Sequence, residues 1–211
     1  LYGADRLYQL PLGVVGIAVG IVLLPELSKH LKSGNTVSAK AALSNGAFFA
    51  SALSLPATLA LIVIPFPLAA ALYGYGQNTI ADVEAIAIAT AIYALGLPAF
   101  MLQKLQQPLF FAREDTKTPF QWAVVSMIIN ALIAIGLWPW LGWLSPAIAT
   151  VVSSWAMVGL LNYSSRAFGE VARIHPQTKS KILRAALASL GMGLVLWAVQ
   201  YGFGAQFANN A

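Results

Sequence analysis

The sequence predicts an all-α fold, a polytopic transmembrane helix bundle of six spans. Three observations predict it. Of 211 residues, 59% are hydrophobic and 9% charged, against roughly a quarter charged in soluble globular domains, and the mean hydropathy is +0.74. Six runs reach the length of about 20 apolar residues that a helix needs to cross a hydrocarbon core about 30 Å thick. They are residues 5–27, 45–73, 83–110, 119–138, 144–163 and 183–203. The connections between them alternate in charge. The first holds Lys29, Lys32 and Lys40, the third holds Arg113 and Lys117, and the fifth, from Arg166 to Arg184, holds five basic residues, whereas the second and fourth hold none. Basic residues are retained on the cytoplasmic side of a membrane, which places 28–44, 111–118 and 164–182 in the cytoplasm.

Each element has its own justification. The first span opens on the pair Asp5-Arg6 and then carries no charge as far as Pro25. The second contains Pro56, Pro65 and Pro67, which remove backbone donors and bend a helix. Such helices often line cavities, although proline is also commoner in membrane helices generally. Thr79 followed three residues later by Asp82 forms a capping-box pattern at the start of the third span. Thr118-Pro119 reads as an N-cap followed by proline at the first helical position of the fourth. The turn from Trp138 to Trp143 contains Trp138, Trp140 and Trp143, whose amphipathic rings suit the headgroup layer as interface anchors. Because the chain begins at Leu1 on the head of a helix, it reads as a fragment lacking an N-terminal part. No repeat or soluble domain is visible.

The chemistry available is sparse. There is no cysteine, so thiolate metal sites and cysteine nucleophiles are excluded, and two isolated histidines make a poor metal centre. The net charge of +5 is explained by loop position and calls for no nucleic acid. No Gly-rich phosphate loop, nucleophile–base pair or paired carboxylates within a span point to catalysis. The first span carries the most informative pattern. Arg6, Gln9, Gly13, Gly16 and Gly20 share one helical face, with Asp5 beside it. An ionisable pair in a membrane helix usually faces a cavity, partner or substrate path, with the glycines as a packing seam; alternatively, Arg6 snorkels to the interface. Lys104, flanked by Gln103, Gln106 and Gln107, has the same two readings. From Pro119 to Tyr163 no residue is charged, and Ser126, Asn130, Thr150, Ser153 and Ser154 there suit interhelical hydrogen bonds.

Two motifs go further. Tyr2-Gly-Ala-Asp-Arg-Leu-Tyr-Gln-Leu-Pro-Leu-Gly, continuing to Leu23-Leu-Pro-Glu-Leu-Ser28, and Phe110-Phe-Ala-Arg-Glu-Asp-Thr-Lys-Thr-Pro119 resemble the MurJ family, formerly MviN. These are the lipid II flippases of bacterial peptidoglycan synthesis, in the multidrug/oligosaccharidyl-lipid/polysaccharide exporter superfamily. The resemblance implies helices 8 to 13 of a fourteen-helix protein. Residues 1–163 would supply five second-lobe spans, 164–182 a cytoplasmic basic loop, and 183–211 a helix of the lipid-tail groove with an outer tail. It implies a multi-pass protein of the bacterial inner membrane, lipid II and membrane lipids as partners, and a missing N-terminal lobe carrying further cavity arginines. The family's required arginine falls on Arg6 and its aspartate on Asp5. A guanidinium suits a pyrophosphate because its planar fork donates paired hydrogen bonds. By the same resemblance a sodium site would involve Asn130 and Thr150, but Ala134, one turn after Asn130, offers no carboxylate, which argues against sodium coupling. No other cofactor is expected. The alternatives to a lipid II flippase are an exporter of another polyprenyl-linked glycan and a non-transporting membrane scaffold.

The charge alternation makes a direct topological prediction. In the full-length protein, Ser33→Cys and Ser180→Cys should react with an impermeant thiol reagent only from the cytoplasmic side, and Gln77→Cys only from outside. The reverse pattern would invert the orientation.

Overall fold

The computed structural model describes the backbone of residues 2–75, 79–172 and 174–209. Seven α-helices follow in order: α1 (Tyr2–Lys32), α2 (Thr36–Val63), α3 (Pro65–Tyr73), α4 (Ile80–Phe111), α5 (Lys117–Leu141), α6 (Ser145–Ser165) and α7 (Pro176–Asn209). Short 3₁₀ segments, Gly142–Leu144 and Arg166–Ala172, join α5 to α6 and follow α6. The six expected spans correspond to α1, α2 with α3, α4, α5, α6 and α7. By length and apolar composition, Thr36–Val63, Ile80–Phe111, Lys117–Ala172 and Pro176–Gly202 qualify as membrane-crossing stretches among the described residues. The third holds both α5 and α6.

Contacts along the helices give their directions. Tyr8 meets Tyr93 and Gly16 meets Lys104, a near-constant offset that makes α1 and α4 parallel. Gly193 lies against Leu59 and Val63 and His175 against Ser44, so α2 and α7 are parallel too. Ser126 reaches Ser153 and Asn130 reaches Thr150, which makes α5 and α6 an antiparallel hairpin. The basic segments accordingly gather at one end of the bundle, with the Trp138–Trp143 turn at the other. The three tryptophans are exposed, Trp140 at 80%, as interface anchors should be.

Helix α4 is the centre, packing on α1, α2, α3 and α6. Its buried positions include Ala87, Ala89, Thr90, Ala94, Gly96 and Ala99, small enough for several helices to approach together. A β-carbon at Gly46 of α2 would sit 2.9 Å from Leu105 and 3.4 Å from Leu23, and one at Gly96 would sit 3.2 Å from Val151 of α6. By contrast, α5 packs chiefly on α6 and α7 chiefly on α2. Both leave apolar faces outward, with Phe120, Met127, Leu132, Leu183, Leu187 and Leu194 exposed, as a bilayer-facing surface requires.

One expectation holds and two need correction. The prolines interrupt the second span as expected: Pro56 lies inside α2, and the helix breaks at Ile64 (φ −120°, ψ 44°), where Pro65 disfavours helical geometry in the residue before it and starts α3 at its first position. The stretch 28–44, expected as a basic loop, is largely helical: α1 runs to Lys32 and α2 begins at Thr36, its first turn capped by Asn35 accepting from the Ser38 N–H at 3.0 Å. At the start of α5, Thr118 is not the cap. Asp115 accepts from its backbone N–H at 3.0 Å, while the capping box of Thr79 and Asp82 forms as expected. Gln77 and the packing around Gly20 lie outside the described residues.

The hydrogen bonds from Thr118 hold the Asp115 carboxyl below the usual carboxylate range. Its ionised form is therefore the capping form. That contribution is complete above about pH 4, the ordinary carboxylate value, and is lost as pH falls through the lowered folded value. Asp115→Ala should cost about 0.5–2 kcal/mol, and Thr118→Ala should cost less because the backbone donor survives. Thermal unfolding of the full-length protein in detergent, with larger loss for Thr118→Ala, would show the cap to be misassigned.

Candidate functional site

Asp5, Arg6 and Gln9 lie in the first turns of α1, at the end opposite the basic segments. Tyr8 organises them. Its ring is buried and stacks on Tyr93 (centroids 4.9 Å apart, 26° between planes) and Phe100 (5.4 Å, 21°), both from α4. Two residues along a helix is about 200° of rotation, so seating Tyr8 in the bundle turns Arg6 outward, and Arg6 is exposed. The Asp5 carboxylate accepts from Gln9 Nε2 at 2.6 Å, and both side chains interact with the Tyr8 hydroxyl. At the same end, Tyr73 of α3 donates to the carbonyl of Gly3 at 3.2 Å and ties the outer half-helix to the head of α1.

Within the glycine stripe below Arg6, Gly13 and Gly16 are not points of close helix–helix approach, and Gly20 lies outside the described packing. A β-carbon at Gly13 would have no neighbour within 4 Å, and one at Gly16 would meet only Cγ of Lys104, at 3.7 Å. The tight approaches belong to Gly3, Gly46 and Gly96 instead. The Gly13–Gly16 face is uncovered among the described residues, and exposed Lys104 reaches it from α4 by lying across bare backbone. Arg6 and Lys104 are not brought together: Gly16 is ten residues beyond Arg6, about 15 Å along the helix axis. Gln103 turns away to donate to the Ser154 carbonyl of α6 at 3.0 Å. The buried amide oxygen of Gln106 has no hydrogen-bond partner among the described residues.

A second polar cluster joins α5 to α6. Asn130 Nδ2 donates to Thr150 Oγ1 at 3.3 Å and to Ser153 Oγ at 3.2 Å, Ser126 donates to the Ser153 carbonyl at 2.9 Å, and Trp122 Nε1 donates to Ser164 Oγ at 2.8 Å. Asn130 and Thr150 do meet, but as partners of each other. Thr150 in turn donates to the Pro146 carbonyl at 2.8 Å. The Asn130 amide donates to the two hydroxyls and neither α5 nor α6 carries a carboxylate, so no ion-coupled step is derived from this cluster. Among the described residues no group of three His, Cys, Asp or Glu could hold a metal.

With this geometry in view, comparisons with known proteins are decisive. The model of the family described as "Lipid II flippase MurJ" matches residues 1–210. The chain belongs to that family. A probable lipid II flippase MurJ of Rhizobium meliloti is 45% identical over 158 residues, covering 75% of this chain and 30% of that relative. One of Vibrio cholerae is 33% identical over 199 residues, covering 93% and 38%. A solved structure titled "Lipid II flippase MurJ, inward closed conformation" superposes with a TM-score of 0.78 at 26% identity, over 93% of this chain and 40% of that one. The chain thus spans about a third of the length of the curated relatives it matches. It is a multi-pass segment of a cytoplasmic-membrane protein, within a transporter family.

Helical spacing put Asp5 and Gln9 within reach of each other, as their hydrogen bond shows, but it did not single out Tyr8, whose partners lie on a helix more than eighty residues later. The only available signal was a tyrosine set between two polar side chains on an otherwise apolar helix. Removing the ring should therefore matter more than removing its hydroxyl. Tyr8→Ala should destabilise the full-length protein by about 3–5 kcal/mol, and Tyr8→Phe by about 1 kcal/mol. Thermal unfolding in detergent reads both, and equal effects would deny the stack its role.

Proposed function

We propose that this chain forms most of the second lobe, residues 1–163, and one groove helix, within 183–211, of a flippase that moves undecaprenyl-pyrophosphate-linked peptidoglycan precursor, lipid II, from the inner to the outer leaflet. The stretch 164–182 is its cytoplasmic connection. A missing N-terminal lobe of the same protein completes the cavity. The observation that carries this reading is the uncovered face of α1, where Arg6 is held outward by the seated Tyr8 ring, with Asp5 and Gln9 bonded beside it. Packing of α7 chiefly along α2 supports its assignment as a groove helix.

The chemistry is binding and release, with no bond broken, so the protein acts as a transporter and not an enzyme. Arg6 offers two parallel donors to a pyrophosphate and stays charged at any physiological pH. Asp5, engaged by Gln9 and Tyr8, orients this end of α1 and offsets the cationic charge. Lys104, about 15 Å deeper on the same uncovered face, supplies a second and more weakly orienting positive position. Alternating access then exposes that face to one side of the membrane at a time.

The test is lipid II translocation in cells depleted of their native flippase, in the full-length protein, with membrane abundance measured alongside. Arg6→Ala should abolish translocation at normal abundance, and Arg6→Lys should retain part of it, because a point charge replaces a fork. Neutralising Asp5 should be milder. Full translocation by Arg6→Ala would refute the cavity role.

A further inference from the structure

A second cavity lies at the opposite, basic end of the bundle. The start of α2, the end of α6, the 3₁₀ segment Arg166–Ala172 and the start of α7 enclose about 790 Å³, lined among others by Lys40, Asn162, Ser165, Arg166, Glu170 and Lys179. Its walls are built, not incidental. Gly169 takes φ +65°, ψ −136°, a backbone conformation that L side chains rarely adopt, and this turns the 3₁₀ segment across the rim. The His175 N–H donates to Ser44 Oγ at 3.0 Å, pinning the head of α7 onto α2. Lys40 Nζ meets Glu170 Oε2 at 2.8 Å and joins α2 to the rim. Buried Ser165 donates to the Asn162 carbonyl at 2.9 Å.

Charge and position together define what would fit. Among the described residues the lining holds Lys40, Arg166 and Lys179 against a single carboxylate, Glu170, a surplus of two positive charges. The cavity sits at the end of the bundle where basic residues gather, the end that their retention on the cytoplasmic side assigns to the inner leaflet. Beside it, exposed Tyr163, Leu183 and Leu187 continue down the outward faces of α6 and α7 as an apolar surface for acyl chains.

We propose that this cavity binds the phosphodiester headgroup of an anionic phospholipid drawn from the inner leaflet, with its acyl chains lying along α6 and α7. Arg166 and Lys179 supply the donors to the phosphate, while Lys40 remains bridged to Glu170 and holds the wall in place. A basic pocket between membrane helices on the cytoplasmic side is suited to such a headgroup. The site is separate from Arg6, at the other end of the bundle, and its binding can be measured without reference to flipping.

The full-length protein is reconstituted in phosphatidylcholine vesicles containing one-third phosphatidylglycerol, and photoreactive phosphatidylglycerol is used as the probe, with a photoreactive phosphatidylcholine control. In the unaltered protein, crosslinks should map to residues 162–179 for phosphatidylglycerol and not for phosphatidylcholine. Arg166→Gln combined with Lys179→Gln should weaken phosphatidylglycerol retention about ten- to thirty-fold, each cation near an anionic surface counting for about five-fold, with the thermal midpoint unchanged. Crosslinks elsewhere, or equal retention by the double variant, would overturn the proposal. Displacement of the probe by low-millimolar inorganic phosphate would also overturn it, by showing a site for a free anion in place of a lipid. Because the first measurement uses the unaltered chain, it stands even if the variant misfolds.

Discussion

The bundle depends on the close approach of three long helices to α4. In a bilayer the hydrophobic effect does not drive helices together, so association rests on packing and on hydrogen bonds between them. The small side chains of α4, with Gly46 on α2 and Gly96 on α4 itself, allow α1, α2 and α6 to reach van der Waals contact with it at once. Remove that arrangement and the other positions lose their reference. Tyr8 has a stacking platform only because α1 lies parallel to α4, and Gln103 reaches the Ser154 carbonyl only because α6 lies on another side of it.

Two sets of polar groups within the spans stand out. One kind is satisfied between helices: Asn130 with Thr150 and Ser153, Ser126 with the Ser153 carbonyl, Trp122 with Ser164. These hold α5 against α6 without charge, which suits a hairpin that otherwise faces lipid. The other kind lies on the uncovered face of α1, where Asp5 and Gln9 hold each other and Arg6 and Lys104 point outward. Glycine does opposite work in the two settings. At Gly46 it admits a neighbouring helix, whereas at Gly13 and Gly16 it leaves room that no described helix fills, and a long lysine side chain uses it.

The two ends of the molecule are chemically distinct as well. The end bearing Arg6 has few cations and an aromatic turn with exposed tryptophans, while the opposite end gathers lysines, arginines and the short capped connections that hold them. At that basic end, α1 runs to Lys32 and α4 to Phe111, and Asn35 and Asp115 cap the starts of α2 and α5. Two of the connections there, from α1 to α2 and from α4 to α5, are therefore short turns, while the third carries the 3₁₀ segment Arg166–Ala172.

Much of this was legible in the sequence, for a physical reason. Burying a backbone in hydrocarbon forces helix, so the six apolar runs specified their own secondary structure, and the distribution of Lys and Arg specified their alternation. The outward, charged start of α1 was visible as Asp5-Arg6 beside Gln9 at helical spacing. What the sequence could not specify was rotation and partnership. Whether Arg6 or Tyr8 faces the bundle, whether Gly16 meets a helix or a lysine, whether Asp115 or Thr118 caps α5, and whether Lys40, Arg166 and Lys179 share one cavity are all decided by contacts between residues far apart in the chain. Hydropathy averages over a helix and carries no information about its azimuth. Only the packing around α4 turns each helix to a definite face, and that packing decided where the charges point.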